Sequence, residues 1–144
     1  MPTVTELELA AQLRVVVTRL ARRLRQLDVA ADGITMSMVS ALYVLEQQGP
    51  MPLGDLAVAE KVQPPTMTRL VARLEELGLV ARGTRPGDRR VVMIALTDEG
   101  RRLVGESRER RTEALAELLR GLGPQERSAL AAAVPVLDRL SGPR

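Results

Sequence analysis

With no cysteine and no histidine among its 144 residues, this chain has only arginine, carboxylate and hydroxyl groups with which to do chemistry. Its basic residues are a single lysine, Lys61, and otherwise arginines, a bias that a GC-rich coding sequence would equally give. A guanidinium is a planar fork of donors, suited to gripping phosphate oxygens and base edges rather than to making or breaking bonds. Two groups have the types and spacing for that work. Gln63, Pro64, Pro65, Thr66, Thr68, Arg69 and Arg73 form a mostly polar run along the start of a helical stretch. Arg85, Asp88, Arg89 and Arg90 surround the turn signal Pro86-Gly87. Together they point to a surface for double-stranded DNA. One aromatic residue, Tyr43, is too little for stacking on unpaired bases. Without thiols, disulfide scaffolding and thiol-based peroxide sensing are excluded. Without imidazoles the usual zinc clusters are absent as well. We expect no metal, no cofactor and no enzymatic activity.

Those side chains need a frame, and residues 53–96 supply one: helix, turn, helix, hairpin. Leu53, Leu56 and Ala57 mark a short first helix, and Lys61, Val62 and Gln63 the turn. Pro64 suits the first position of the second helix, where its fixed φ fits and its missing N–H is not needed. Met67, Leu70, Val71, Leu74 and Leu77 recur at steps of three and four and so share a buried face. Thr66, Arg69, Arg73 and Glu76 project elsewhere, and Gly78 is placed to end the helix in a left-handed conformation. The spacing then predicts a strand starting at Leu79–Ala81, a basic loop over 82–90, and a second strand at 91–96. This is a winged helix-turn-helix: a helix set by its apolar stripe for a major groove, followed by a basic finger for the minor groove.

Within this frame Arg69 is the leading base or phosphate contact. Gln63 caps the helix or pairs with an adenine edge, and Thr66 reaches a phosphate or a thymine methyl. Thr68 is either a contact or a partly buried support. Arg73 touches phosphate or pairs with Glu76. Pro64 and Pro65 together remove two N–H donors, so main-chain anchoring of phosphate should be weak. In the wing, Arg85 and Arg89 are the minor-groove candidates. Asp88 would repel phosphate and so holds a guanidinium in place, while Arg90 faces DNA or braces the loop.

The same segment resembles the MarR family of bacterial transcriptional regulators. The matching residues are Leu56-Ala57, the run Thr68-Arg69-Leu70-Val71-Ala72-Arg73-Leu74-Glu75, Gly78-Leu79-Val80, Asp88-Arg89-Arg90, and Leu96-Thr97 with Gly100. The resemblance covers nearly the whole chain. It implies Asp88 as an anchor for nearby arginines, Arg89 at the DNA, a short strand near Met51 completing the wing sheet, and a two-fold dimer built from the N- and C-terminal helices. It further implies that a small aromatic or amphipathic effector releases the DNA. Pro52 and Gln63 replace the commoner Ser or Thr caps, and Lys61 stands where Gly is common.

The flanking segments fit a dimer on their own terms. A helix from Glu6 to about Asp28 carries Leu13, Val17, Leu20, Leu24 and Leu27 in a heptad-like seam. Its arginines, Arg14, Arg19, Arg22, Arg23 and Arg25, read first as a solvated face and second as flanking phosphate contacts. Thr35 caps a helix whose stripe is Met38, Leu42 and Leu45, ending by Gly49-Pro50. Thr97 caps a long helix whose charged middle, 106–113, reads as a solvated crossing. Pro124 opens the last helix, in which Pro135 should cause a kink or the loss of a hydrogen bond. One small winged domain cannot cover all these apolar faces, so Leu7, Leu13, Val17, Leu130, Val134, Leu137 and Leu140 are expected to dimerise.

The expected fold is thus mainly α with a small β-hairpin wing, a winged helix-turn-helix plus a helical dimerisation region. The expected parts are 1–34, an N-terminal helix belonging to the dimerisation region; 35–97, the DNA-binding region; and 98–144, the C-terminal dimerisation helices. The expected protein is cytoplasmic and has no membrane segment. It is a homodimeric regulator of transcription, more often a repressor, on a near-palindromic operator. The rival readings are an architectural DNA binder without an effector and a winged-helix protein-interaction module.

Overall fold

The computed structural model describes residues 4–28 and 33–142. They form six helices and three strands: α1 (Glu6–Leu27), α2 (Met36–Gln48), β1 (Met51–Pro52), α3 (Leu53–Glu60), α4 (Pro64–Glu76), β2 (Val80–Arg85), β3 (Asp88–Leu96), α5 (Asp98–Arg120) and α6 (Pro124–Leu140). Among the described residues no helix is long and apolar enough to cross a membrane. The chain divides into two compact units, one of residues 28–110 and one of residues 1–27 with 111–144.

The unit 28–110 is built on a core without a single Phe or Trp. Leu42, Leu56, Met67, Val71, Leu74, Ile94 and Val104 are all fully buried. The stripes expected of α2 and α4 supply most of this core, with Leu70 and Leu77 at its margin. Local signals set the ends of the helices. The Thr35 hydroxyl accepts from the Met38 N–H at 3.3 Å, and the Met38 sulfur accepts from the Thr35 N–H at 3.4 Å. Gly78, at φ 73°, turns the chain out of α4. The Gly78 N–H then bonds to the Glu75 carbonyl at 3.0 Å and the Leu79 N–H to that of Leu74 at 2.9 Å, which is the Schellman pattern.

The sheet order is β1-β3-β2, antiparallel throughout. Met51 pairs with Ile94, so the short strand implied by the family resemblance is present. The basic segment expected as a loop is different: β2 runs to Arg85 and β3 starts at Asp88, leaving only Pro86-Gly87 as the turn. Arginine and glycine at 82–90 carry no strand pattern. Both faces of the hairpin tip are solvated there, so nothing selects alternation, and the ladder with β3 decides the backbone instead. The register slips between Thr84 and Arg85.

A joint after β3 accounts for three of the recognisable residues. The Thr97 hydroxyl donates to the Gly78 carbonyl at 2.6 Å and accepts from the Gly100 N–H at 3.1 Å, capping α5 while tying it to the exit of α4. Gly100 is buried, and a Cβ there would lie 2.2 Å from the Leu79 carbonyl oxygen.

The turn between α3 and α4 keeps a strained residue. Lys61 has φ 56° and ψ 41°, the left-handed region, and among the described residues it is the one non-glycine with positive φ. A left-handed L-residue costs about 1–2 kcal/mol, partly offset in glycine by its greater unfolded freedom. Lys61→Gly is therefore expected to raise the melting temperature by about 2–4 °C, as differential scanning fluorimetry would show; an unchanged or lower value would argue against strain.

The middle of α5 is solvated at Glu106, Arg108, Glu109, Thr112 and Glu113, as its charges promised, but Ser107 within it is buried. Ser107 is fully buried and hydrogen-bonds the buried Asp28 carboxylate. Arg108 pairs with Glu46 of α2, and its guanidinium carbon lies 5.7 Å from the Tyr43 ring centroid. One small hydroxyl residue inside the charged run meets a carboxylate 79 residues away, which average polarity does not reveal.

The unit formed by 1–27 and 111–144 is different in character. No residue of α1 or α6 is buried. Leu13, Val17, Leu20, Leu24, Leu137 and Leu140 line an open apolar groove of about 470 Å³. Of the residues expected to dimerise, Leu7 is 81%, Val134 61% and Leu140 70% exposed. Pro135 lies inside α6, which runs unbroken from Pro124 to Leu140; lacking an N–H, it leaves the Ala131 carbonyl without its helical donor. The α6 start is closed by Glu126, whose carboxylate accepts from the Gly123 N–H at 2.8 Å.

Candidate nucleic-acid interface

The N-terminal end of α4 offers side chains and almost no main chain. Gln63 precedes the helix with φ −69° and ψ 144° and makes no side-chain cap. Its carbonyl takes both the Thr66 N–H at 3.0 Å and the Met67 N–H at 3.1 Å. Pro64 and Pro65 have no N–H, so the first turn has no spare amide donor for a phosphate. The polar groups that this end of the helix presents are therefore the side chains of Gln63, Thr66, Thr68, Arg69 and Arg73, all exposed. Thr68 is no buried support; its hydroxyl donates to the Pro64 carbonyl at 2.9 Å and stiffens the helix start. Arg73 bonds Glu76 at 3.1 Å. Arg69 is exposed, with no hydrogen-bond or ion-pair partner among the described residues.

The wing is held at two points. At its base, Arg82 of β2 reaches the Glu75 carboxylate of α4 at 3.2 Å. Sequence reasoning missed this pair; opposite charges on either side of the Gly78 turn are the signal that would have found it. At the tip, one Asp88 carboxylate oxygen accepts from both the Arg90 N–H and the Arg90 Nε–H, each at 3.1 Å. Asp88 thus braces Arg90, and Arg89 between them stays exposed with no partner among the described residues. Arg85 pairs with Asp88 across the turn in the strand register.

The unit 28–110 as a whole is not basic: it carries eleven Lys and Arg against twelve Asp and Glu. Attraction for a polyanion must then come from local placement, and the wing tip concentrates it, with Arg85, Arg89 and Arg90 against the single carboxylate of Asp88. The Arg90 side chain, mainly through its hydrogen bond, holds that carboxyl below its ordinary value. The folded group is therefore ionised at neutral pH, and its contribution to loop order is complete above the usual carboxylate range and fades as pH falls through the lowered value. With neither histidine nor cysteine present, DNA binding should be flat between about pH 6 and 8. Asp88→Asn is expected to weaken binding to duplex DNA by about threefold to tenfold at unchanged melting temperature, because a neutral amide braces Arg90 less well; electrophoretic mobility shift would measure it, and unaltered affinity would remove Asp88 from the interface.

The residues singled out for DNA all lie in the unit 28–110, and those singled out for dimerisation all lie in the other. Among the described residues, no cluster of His, Cys, Asp and Glu is arranged to hold a metal ion.

Known proteins resemble this chain. The profile described as MarR family matches residues 34–92. An HTH-type transcriptional regulator of Mycobacterium tuberculosis is 38% identical over 133 residues, covering 92% of each chain. The structure of a MarR family protein from Bacillus stearothermophilus superposes with a TM-score of 0.72 at 30% identity over 94% of each chain. BpsR of Bordetella bronchiseptica, whose DNA binding is regulated by 6-hydroxynicotinic acid, superposes with a TM-score of 0.60 at 28% identity over 90% of this chain and 98% of its own.

Proposed function

This chain belongs to the MarR family of DNA-binding transcriptional regulators, and from that premise we propose a homodimeric repressor that occupies a near-palindromic operator and is released by a small effector. The observation that carries the reading is the pairing of unsatisfied arginines on two elements of one unit: Arg69 on the helix of the helix-turn-helix and Arg89 at the wing tip. A guanidinium with no protein partner is free to make the bidentate contacts that duplex DNA offers. In this reading α4 enters the major groove, with Arg69 as its principal contact and Thr66 and Gln63 beside it. Arg85 and Arg89 reach the flanking minor groove, and Arg73 supports from the next turn.

Dimerisation rests on the exposed apolar face of α1 and α6. A groove of about 470 Å³ lined by leucine and valine is unfavourable in water, and a second copy would cover it. Two recognition helices about 34–36 Å apart would then read half-sites one helical turn apart. Occupation of such an operator blocks polymerase. Release requires an effector that prefers the weakly binding state of the protein; a small aromatic or amphipathic acid is the class proposed, and DNA binding by the Bordetella relative is regulated by such an acid.

Selection of bound duplexes from a random pool tests this reading. Enrichment of a two-fold motif with half-site centres about 10–10.5 base pairs apart is expected. Binding without any enriched motif would favour an architectural protein, and no binding would favour a protein-interaction module.

A further inference from the structure

The positive charge of this chain is not where α4 and the wing are. Residues 28–110 carry eleven Lys and Arg against twelve Asp and Glu, whereas residues 1–27 with 111–144 carry ten against six. The excess is concentrated on α1. Arg14, Arg19, Arg22, Arg23 and Arg25 follow one another with no carboxylate between Glu8 and Asp28. All five are exposed, and none has a hydrogen-bond or ion-pair partner among the described residues.

Exposed arginines elsewhere on the surface are neutralised within the chain. On α5, Arg101 pairs with Asp98, Arg102 with Glu99 and Glu106, and Arg120 with Glu117. An ordinary solvated face is built in that way, with opposite charges three and four residues apart. On α1 the three- and four-residue neighbours are like charges, Arg19 with Arg22 and Arg23, and Arg22 with Arg25. They repel one another until an anion arrives.

We propose that the arginine face of α1 is a second duplex-binding surface, one that grips the phosphate backbone without regard to sequence. At 3.6 residues per turn the five arginines occupy the half of the helix opposite Leu13, Val17, Leu20 and Leu24. That apolar half lines the groove with Leu137 and Leu140 of α6, so the leucines that a lipid surface would take up are turned to another use. From Arg14 to Arg25 the helix rises about 16 Å, and a duplex presents one phosphate charge in about every 1.7 Å of its axis. Arg14, Arg19 and Arg22, with Val15 and Thr18, line a shallow cleft of about 240 Å³. The Thr18 hydroxyl donates to the Arg14 carbonyl at 2.7 Å, leaving guanidiniums as the donors of the cleft. Contacts of that kind hold a backbone and carry no base information. This face lies in a different unit from α4 and the wing, and its binding requires neither.

Fluorescence anisotropy of the full-length protein on a duplex of random sequence, over a range of salt, tests the face. Arg14→Gln/Arg19→Gln/Arg22→Gln should weaken binding at least about tenfold and flatten the plot of log K against log salt by about 2–3 units, at about 0.9 per phosphate, with the melting temperature unchanged. Lysine at the same three positions should bind within about threefold of the parent, since a phosphate needs the charge and not the fork. Arg101→Gln/Arg102→Gln/Arg120→Gln removes the same net charge from guanidiniums already held by carboxylates, and should cost less than about threefold. Equal losses in the two glutamine variants would reduce the effect to net charge and overturn the face, as would unchanged affinity. A weakened dimer with duplex binding intact would give the arginines to a second copy, and binding to phosphatidylglycerol vesicles in place of duplex would give them to a membrane; either result overturns the proposal. Operator preference is read separately, as the ratio of affinities for selected and random duplexes. Its absence would sink the operator reading, while the loss of random-duplex binding in the α1 variant would still stand.

Discussion

Operator affinity is expected to fall at least about a hundredfold when Arg69 and Arg89 are both replaced by alanine, since each lost base or phosphate contact costs about 1–3 kcal/mol and a dimer loses each one twice. Both side chains are exposed and have no partner among the described residues, so their removal deprives the protein of no internal bond. The melting temperature should be unchanged. The salt dependence separates their roles. Four lost phosphate contacts would flatten the plot of log K against log salt by roughly 3–4 units, at about 0.9 per phosphate. If Arg69 reads a base edge, the slope should change by only about half as much, with discrimination among operator variants lost at one position. Arg73→Ala is the internal comparison. That guanidinium is already engaged by Glu76 at 3.1 Å, and its loss should cost only about threefold. A double variant that binds as tightly as the parent would remove both helix and wing from the DNA surface.

The second large effect is on the fold. Alanine at an ordinary helical glycine position stabilises by up to about 1 kcal/mol, yet Gly100→Ala is expected to destabilise by about 3 kcal/mol or more. The new methyl carbon would sit 2.2 Å from the Leu79 carbonyl oxygen, 3.0 Å from Leu96 Cδ2 and 3.2 Å from the Leu79 carbonyl carbon. The first of these contacts is with backbone that cannot swing aside. Leu79 is anchored by its N–H to the Leu74 carbonyl, and its own carbonyl accepts from the Thr97 N–H at 3.1 Å. Making room would open the joint between α4, the sheet and α5, and with it the base of the wing. Gly105, on the same helix, has nothing within 4 Å of an added Cβ. Gly105→Ala should therefore leave stability unchanged or raise it slightly. Opposite signs in urea denaturation are the expected result, and equal small gains at the two positions would show that the close approach at Gly100 is not tight.

Much of the unit 28–110 was legible in the residues because its signals are local. The period of Met67, Val71 and Leu74, the prolines opening α4, Gly78 closing it and Thr97 capping α5 each act within one or two turns of chain. Proline geometry, glycine freedom and hydroxyl capping do not depend on the rest of the fold. The family resemblance added the short strand at Met51, which two residues could not announce by themselves. The hairpin was misjudged at its tip, where 82–90 is paired strand around a two-residue turn. An exposed ladder carries its order in backbone bonds to the neighbouring strand, and those leave no side-chain pattern.

What the amino-acid order determined by itself, then, is the succession of helices, the apolar stripes that α2 and α4 bury, and the arginines left over for a polyanion. The tertiary structure alone decided which of those arginines are already engaged. It set Arg73 on Glu76, Arg82 on Glu75, Arg90 on Asp88 and Arg110 on Asp28, and left Arg69 and Arg89 without a partner among the described residues. It also brought Gly100 against Leu79 and held Lys61 left-handed. Periodicity specifies a direction around one element, whereas a contact requires the positions of two. Where the partners lie 79 or 82 residues apart, only the packed backbone brings them within bonding distance.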